Sequence, residues 1–446
     1  MRKILCFLVF CTANLVFAGT SLSLKQALSE GLKGNLDIQK SELGSDGIDA
    51  QVNAAFRSYL PQLTASGSVT RLWMDPTPVP NYEAWIASLM GAPFDPSTAI
   101  VQYPINWNVK GDLTLSQFLY VPQALTGIKM AKKGKEIDAI VKQEIKEGIT
   151  YGISMQYWTI VYMEENLEVL QKSKENLGKT REAIAAMVEE GIVKKSDLNT
   201  MDINLSSLGT QIDNLKVQIQ TQKDGLLQIM GRTPGDNIEL TDRLNVDFRT
   251  SEDISGDPLQ SSITLKRMEQ QIKLSELNID LTSEKIYPNV VAFASYGTES
   301  RSEKFADLKG NFADNGKAGI QVSIPIFDGM SNSAERTYAR IQKRQAEIDM
   351  EKQRLALQAT YETAKSTLFN AKNLVERNRE NAKLSEENYL MKELEYKEQV
   401  APVTDLLTAD NNMQTARSNL VNALYTEKTA ELALEQVLGI LRHRAE

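Results

Sequence analysis

Two stretches of this chain, 208 residues apart, repeat one pattern: Glu190-Gly191-Ile192-Val193-Lys194-Lys195-Ser196-Asp197-Leu198 and Glu398-Gln399-Val400-Ala401-Pro402-Val403-Thr404-Asp405-Leu406. The same offset carries Met230-Gly231 onto Leu438-Gly439, and an offset of 207 carries residues 115–120 onto 322–327. The chain is a tandem duplication. Its period, near 200 residues, is too long for an ordinary solenoid, so two copies of one large unit must meet to complete a single structure.

Proline placement divides each copy. Seven of the 13 prolines fall between Pro61 and Pro104, whereas none occurs from Gln123 to Thr233 or from Ile326 to Ala401. Proline removes a helical hydrogen bond and clashes with the preceding turn, so the two proline-free tracts read as long helical regions. A helix from about Gln123 to Lys195 would run roughly 110 Å at 1.5 Å per residue, far beyond what a globular core requires. Each tract is interrupted once, at the duplicated motif. After the first interruption Leu198, Met201, Leu205, Leu208, Ile212, Leu215 and Ile219 recur at alternating steps of three and four, the spacing of a coiled-coil seam. Leu406, Ala409, Met413, Ala416, Leu420 and Ala423 repeat that seam, with alanines that let the helices approach more closely. Each copy therefore reads as an antiparallel helical hairpin with the motif as its turn.

The opposite end of each copy reads as strands. Residues 105–116 alternate apolar and polar throughout, residues 320–324 do so over a shorter run, and Leu63 to Trp73 and Val290 to Tyr296 alternate less regularly. Tyr59, Trp73, Trp107, Tyr120, Tyr287, Tyr296 and Phe327 lie near their ends. Four segments near the ~10 residues of a tilted membrane strand, edged by aromatics, fit a membrane barrel; four strands of a soluble sheet fit the same pattern. The loop within the first pair, Pro61 to Leu115, is 54 residues long, against 34 from Pro288 to Val322. The longer one holds Pro76, Pro78, Pro80, Pro93 and Pro96 with Trp85 and Phe94, a composition for an ordered loop without long helices. The expected organisation is residues 1–18 as a signal peptide and 19–232 as the first repeat, with a strand pair at about 61–120 and a hairpin tip at about 190–198. Residues 233–257 follow as a linker or small mid-height segment, then 258–446 as the second repeat, with a strand pair at about 288–327 and a tip at about 398–406.

Arg2 and Lys3, an apolar run from Ile4 to Phe17, and Val16-Phe17-Ala18 before the expected cut resemble a secretory signal. Cleavage would remove both cysteines, Cys6 and Cys11, and leave Gly19 rather than a lipid-anchoring cysteine at the new terminus. It would also reduce 50 Lys and Arg to 48 against 58 Asp and Glu, a formal charge of −10 that argues against nucleic acid as a partner. No segment approaches ~18 consecutive apolar residues, so any membrane spanning falls to strands in a closed barrel. The one histidine, His443, is near the carboxyl terminus, and no histidine cluster, phosphate-binding glycine loop or nucleophile elbow occurs. The sequence thus offers no catalytic, metal or cofactor site.

Four strands cannot close a barrel, and open edges in lipid leave backbone groups unpaired at several kcal/mol each. Subunits must pool strands; two copies give eight, three twelve, four sixteen, and the pattern does not choose. Hairpins longer than a bilayer is thick would then project to one side and curve into a helical tube. The object is a conduit. Its rival is a secreted coiled-coil scaffold or adhesin without a pore.

With these features the chain resembles the TolC family of outer-membrane efflux and secretion channels, over essentially everything after residue 18. The marks are Leu22-Ser23-Leu24-Lys25-Gln26-Ala27-Leu28 with Asn35, and Tyr59-Leu60-Pro61-Gln62 with its counterpart Ile286-Tyr287-Pro288-Asn289 at a strand entry. Ser323-Ile324-Pro325-Ile326-Phe327-Asp328-Gly329, leaving the sheet, is another. The resemblance implies a mainly α fold with membrane β: a homotrimer whose subunits each give four strands to a 12-stranded β-barrel in the outer membrane of a Gram-negative-type cell, while coiled-coil hairpins form an α-helical periplasmic tunnel. It implies no enzyme but a passive exit duct of a tripartite export system, for multidrug efflux or type I secretion. Its partners would be a periplasmic adaptor (membrane fusion) protein, an inner-membrane RND, ABC or MFS transporter that selects the cargo, and outer-membrane lipid.

The resemblance places the duplicated motif at the periplasmic mouth. Asp405 matches a position in an acidic ring facing the pore, and the second ring position falls on Thr408, leaving the ring single. Asp197 and Tyr396 match gate contacts, but the basic residue expected near the second tip is Ala401. Either a Tyr396–Asp197 hydrogen bond holds the gate, or Lys194 or Lys195 supplies the missing charge. Gly191, Lys194, Lys195, Ser196, Val400, Ala401 and Thr404 are the implied adaptor contacts. Read from the residues alone, Ser196-Asp197 and Thr404-Asp405 are helix N-caps with acids suited to a first turn, and Gly191 is a helix stop. Tyr157 and Trp158 read as packing between helices.

Overall fold

The computed structural model describes residues 20–72, 79–80, 82–93, 100–101, 106–245, 256–310 and 312–441. The signal segment, Gly19, Trp73, Pro76, Pro78, Phe94, Pro96, Ile105, residues 246–255 of the linker, and His443 lie outside them. The elements run β1 (Thr20–Leu22), α1 (Leu24–Gly34), α2 (Leu36–Arg57), β2 (Gln62–Arg71), β3 (Val79–Pro80), α3 (Tyr82–Leu89), β4 (Ile100–Val101), β5 (Trp107–Tyr120), α4 (Pro122–Glu189) and α5 (Lys195–Ile229). They continue with β6 (Ile238–Leu240), α6 (Pro258–Ser261), α7 (Ile263–Ser283), β7 (Asn289–Ser302), β8 (Phe312–Ser323), α8 (Ser331–Lys397) and α9 (Val403–Val437). The duplication is visible in lengths: α4 and α8 have 68 and 67 residues, and α5 and α9 have 35 each. No described helix is long and apolar enough to cross a membrane.

Two compact units each draw on both repeats. One comprises the chain up to Ser45, Ile137–Glu269 and Glu347 onward; the other comprises Asp46–Glu136 and Gln270–Ala346. The second unit carries an antiparallel sheet in the order β2-β5-β7-β8, which leaves β2 and β8 as edges. The register pairs Leu63 with Leu115, Leu115 with Ala294, and Ala292 with Ile320, so apolar residues gather on one face. Lys110 pairs with Ser68 and Glu299, and Asn108 with Thr70 and Arg301, so the other face is polar. The strand period of two imposes this division. On the polar face Lys110 bonds Asp112 at 3.0 Å, Arg301 bonds Glu299 at 2.8 Å, and Asn108 donates to Glu299 at 2.7 Å.

The strands are longer than their alternation indicates. β7 extends to Ser302 and β8 begins at Phe312, so Tyr296 lies in mid-strand, opposite Leu113 and Gly316, rather than at an end. Other aromatics do mark the sheet ends. Tyr59 meets Phe118 edge-on at 6.1 Å and donates to the Leu119 carbonyl, while Trp107 meets Phe305 at 5.0 Å under the Arg71 guanidinium.

The core of the first unit lies along its helices. In α5, Met201, Leu208, Ile212, Ile219 and Leu226 are buried, the heptad seam of the sequence. Alanines fill the α8–α9 contact, with Ala364, Ala371 and Ala430 beside Leu368, Leu434 and Leu438. α1 opens with a capping box between Ser23 and Gln26. Asn35 then joins three segments: its amide donates to the Ile229 carbonyl at 2.7 Å, and its oxygen accepts from the Asp37 and Ile38 amides. β1 runs parallel to β6, pairing Leu22 with Leu240. Tyr157 and Trp158 pack in the same cluster, with Leu28, Ile153 and Leu226.

Candidate gate at the hairpin tips

Both tips are built from one backbone device. α4 ends with Gly191 N–H bonded to Val188 O at 3.0 Å and Ile192 N–H bonded to Met187 O at 2.8 Å. α8 ends with Gln399 N–H on Tyr396 O at 3.0 Å and Val400 N–H on Glu395 O at 2.8 Å. These are Schellman motifs, which need a residue with positive φ after the helix. Gly191 has φ 75°, and Gln399, its counterpart, is held at 62° without the freedom of a glycine. The helix ends opposite the tips repeat the device at Gly231 and Gly439, with φ 74° and 64°. The apolar residue after each tip motif is left in the open: Val400 is 77% exposed and Ile192 50%.

The returning helices correct the N-cap reading. The caps are Lys194 and Pro402, both extended, and neither makes a side-chain capping bond. Each returning helix begins two residues earlier than the capping pattern assumed, so Ser196 and Thr404 fall in the second helical position and Asp197 and Asp405 in the third. The acids remain in the first turn, where the unpaired amides favour them. Ser196 Oγ donates to Asp197 Oδ1 at 3.2 Å, its immediate neighbour.

Tyr396 and Asp197 are brought together but not bonded. Tyr396 is buried, and its hydroxyl has no hydrogen-bond partner. Burial, and after it the Asp197 carboxylate, pushes the phenol above its ordinary range. The hydrogen bond posited between them is therefore absent within one chain, although the two groups feel each other. Lys194 and Lys195 are exposed, and neither forms an ion pair among the described residues. The cation near Asp405 is instead Lys392 of α8: it pairs with Glu395 at 2.6 Å, and the Asp405 charge adds to the Glu395 effect in raising its pKa. Asp405, Thr404 and Thr408 are exposed, and Ala401 half-buried. Thr408 Oγ1 donates to the Thr404 carbonyl at 2.8 Å, which uses its proton within the helix.

Behind the tips an apolar cluster joins the two hairpins: Leu177, Ile184, Met201 and Leu208 with Tyr389, Tyr396, Val403, Leu406 and Met413. Each fully buried aliphatic side chain there contributes ~1.5–3 kcal/mol. Sequence reading missed the polar pair set into this region. Ser173 donates to Asp410 at 2.7 Å with both residues buried, and Arg417 bonds Glu386 at 2.8 Å nearby. The available signal was an acid inside a heptad seam, four residues after Leu406 and three before Met413.

Residues 255–440, essentially the second repeat, match the family described as outer membrane efflux protein. The toluene efflux pump outer membrane protein TtgC of Pseudomonas putida is 21% identical over 435 residues, covering 94% of this chain and 83% of that one. The antibiotic efflux pump outer membrane protein ArpC of Pseudomonas putida matches to the same extent. Among solved structures, the Campylobacter jejuni CmeC outer membrane channel superposes with a TM-score of 0.74 at 16% identity, over 93% of this chain and 85% of that one. The outer membrane protein VceC of Vibrio cholerae gives 0.70 at 16%, over 93% and 96%. These relatives are channel and efflux-pump proteins, not enzymes.

Proposed function

We propose, for a chain that carries the TolC-family outer-membrane channel fold, that it is the passive outer-membrane exit duct of a tripartite export system and works as a homotrimer. The observation that carries this reading is the sheet: four strands with two unpaired edges, apolar on one face and charged on the other. In lipid such edges are tolerated only on closure, and three copies close twelve strands around a polar lumen. The helices make the same demand. Ile341, Ile348, Leu355 and Phe369 of α8 stand at multiples of seven residues and are at least half exposed, a seam that a neighbouring subunit would fill.

In this reading the tips form the periplasmic mouth. Three copies of Asp405 line it and favour cations, with Thr408 beside them as a neutral rung. The Tyr396 ring, packed in the apolar cluster that joins the two hairpins of one subunit, lies at the constriction within reach of the Asp197 charge. Gly191, Lys194, Lys195, Ser196, Val400, Ala401 and Thr404 face the periplasmic adaptor, and the exposed Ile192 and Val400 supply apolar contact. Energy comes from an inner-membrane transporter of the RND, ABC or MFS type, which also selects the cargo. The likeness to outer membrane proteins of a toluene and an antibiotic efflux pump favours efflux of small molecules over type I protein secretion.

The test is fractionation of cells that express the full chain. A heat-modifiable trimer in the outer membrane is expected. A monomer released with the soluble periplasm would overturn the duct in favour of a coiled-coil scaffold.

A further inference from the structure

The polar ties between the two hairpins end before the tips are reached. α4 of the first repeat meets α9 of the second at Thr159 and Tyr425, whose hydroxyls lie 3.0 Å apart with Tyr162 stacked on Tyr425. The next tie toward the tip is Ser173 to Asp410. Beyond it, among the described residues, α4 and α9 share an apolar cluster, Leu177 and Ile184 with Val403, Leu406 and Met413, while α4 still reaches α8 through Thr180 and Tyr389. Asp410 thus sits where a bonded stretch of the interface gives way to one that can separate.

It is an ill-suited group for that place. Asp410 is 1% exposed; its Oδ2 accepts from Ser173, while its Oδ1 has no partner. A buried carboxylate with an unserved oxygen is penalised in the packed arrangement and gains water on release. The groups facing it do not offset this. From α9 comes Arg417, already bonded to Glu386 of α8. From α8 comes Tyr389, whose hydroxyl is pushed up to about 12 by burial and then by Glu393 and Asp410, against opposing effects of Thr180 and Arg417. From α4 comes the Ser173 hydroxyl, and α5 presents Met201, Leu208 and Ile212 to the cluster.

We propose that Asp410 is a positioning residue for the tip: its ionised carboxylate biases the second hairpin toward release from α4, and its neutral form holds the hairpins packed. The inference rests on the duct reading, in which release widens the mouth. The sign follows from linkage. Burial raises the Asp410 carboxyl above the usual range, against opposing effects of Ser173 and Arg417. Protons therefore bind the packed arrangement preferentially, so packing tightens as pH falls through the raised value and changes no further below the ordinary ~3.9. It loosens as pH rises. Acidification closes the mouth.

The test is hydrogen exchange of residues 403–413 in the purified oligomer, corrected for intrinsic rate, for the parent and Asp410→Asn. Asparagine keeps an acceptor for Ser173 and cannot ionise. At about pH 8 the variant should exchange more slowly by about tenfold. The parent should gain protection progressively as pH falls, approaching the variant's value near the ordinary ~3.9, and the variant should show no pH response. Exchange in Asp410→Asn as fast as in the parent, or a parent indifferent to pH, would overturn the proposal; a purely structural role predicts faster exchange in the variant. Ser173→Ala should raise exchange in both backgrounds. Single-channel recording then separates the two readings. If protection responds as stated but the oligomer never conducts, the duct fails and the positioning role stands; if it conducts but protection ignores Asp410→Asn, the positioning role fails.

Discussion

Tyr157→Phe isolates one hydroxyl at the place where the amino-terminal strand is tied down. The ring is fully buried, and its hydroxyl lies 2.7 Å from Asp242 Oδ2 and 2.9 Å from the Leu22 carbonyl oxygen. The Asp242 carboxylate also accepts from the Leu24 amide at 2.8 Å, so one phenol secures both strand β1 and the start of α1. Burial, then Asp242, push this phenol above its ordinary range, so it remains a donor at working pH. Phenylalanine keeps the packing and removes the donor. Leu22 O retains the Thr241 amide at 3.2 Å, so the main loss is a hydrogen bond to a charged group, ~1.5–3 kcal/mol. At 1.36 kcal/mol per decade that is about 10- to 160-fold. Native-state hydrogen exchange should show this loss of protection in the amides of β1 and β6, with the tip cluster unchanged. A change below about twofold, or an equal loss at the tips, would refute the assignment of a local clamp.

Further outcomes follow from steric and packing features. Gly231→Ala should destabilise the first unit by ~3 kcal/mol or more, because its Cβ would collide with the Gly34 carbonyl at a positive φ; Gly191→Ala, with φ 75° and open space, should cost only ~1 kcal/mol. Thermal unfolding in detergent reads the ordering, and equal effects would contradict the end-to-end packing of α1 on α5. Ile348→Glu places a charge in the exposed α8 seam and should yield monomers by native mass spectrometry, where a persisting trimer would exclude that seam from the subunit contact.

The tips were legible in sequence because the two sites keep Glu190 and Glu398, Asp197 and Asp405, and Leu198 and Leu406 at one spacing around an apolar residue that follows the turn. At Gln399 the turn geometry persists where glycine does not. The N-caps were misjudged because Ser and Asp at a helix start suit both capping and first-turn positions, and only the backbone distinguishes them. β7 and β8 were undercounted because polar residues and a glycine on the otherwise apolar face, Thr298, Ser300, Asp314 and Gly316, interrupt the alternation. Gly297 is required by close approach, since a Cβ there would overlap the Asp112 carboxylate. The Asp197 charge acts on the Tyr396 hydroxyl, but the expected hydrogen bond is absent, because it needs ångström-scale geometry that spacing does not encode. Ser173 and Asp410 are 237 residues apart, and no local pattern links them.

The most direct measurement is single-channel conductance of the detergent-purified oligomer in a planar bilayer, comparing the parent with Asp405→Ala. A duct with an acidic periplasmic mouth predicts small cation-selective steps whose cation preference falls when the carboxylates are removed. A correctly folded oligomer that gives no steps, or one whose selectivity is unmoved by the substitution, would contradict it.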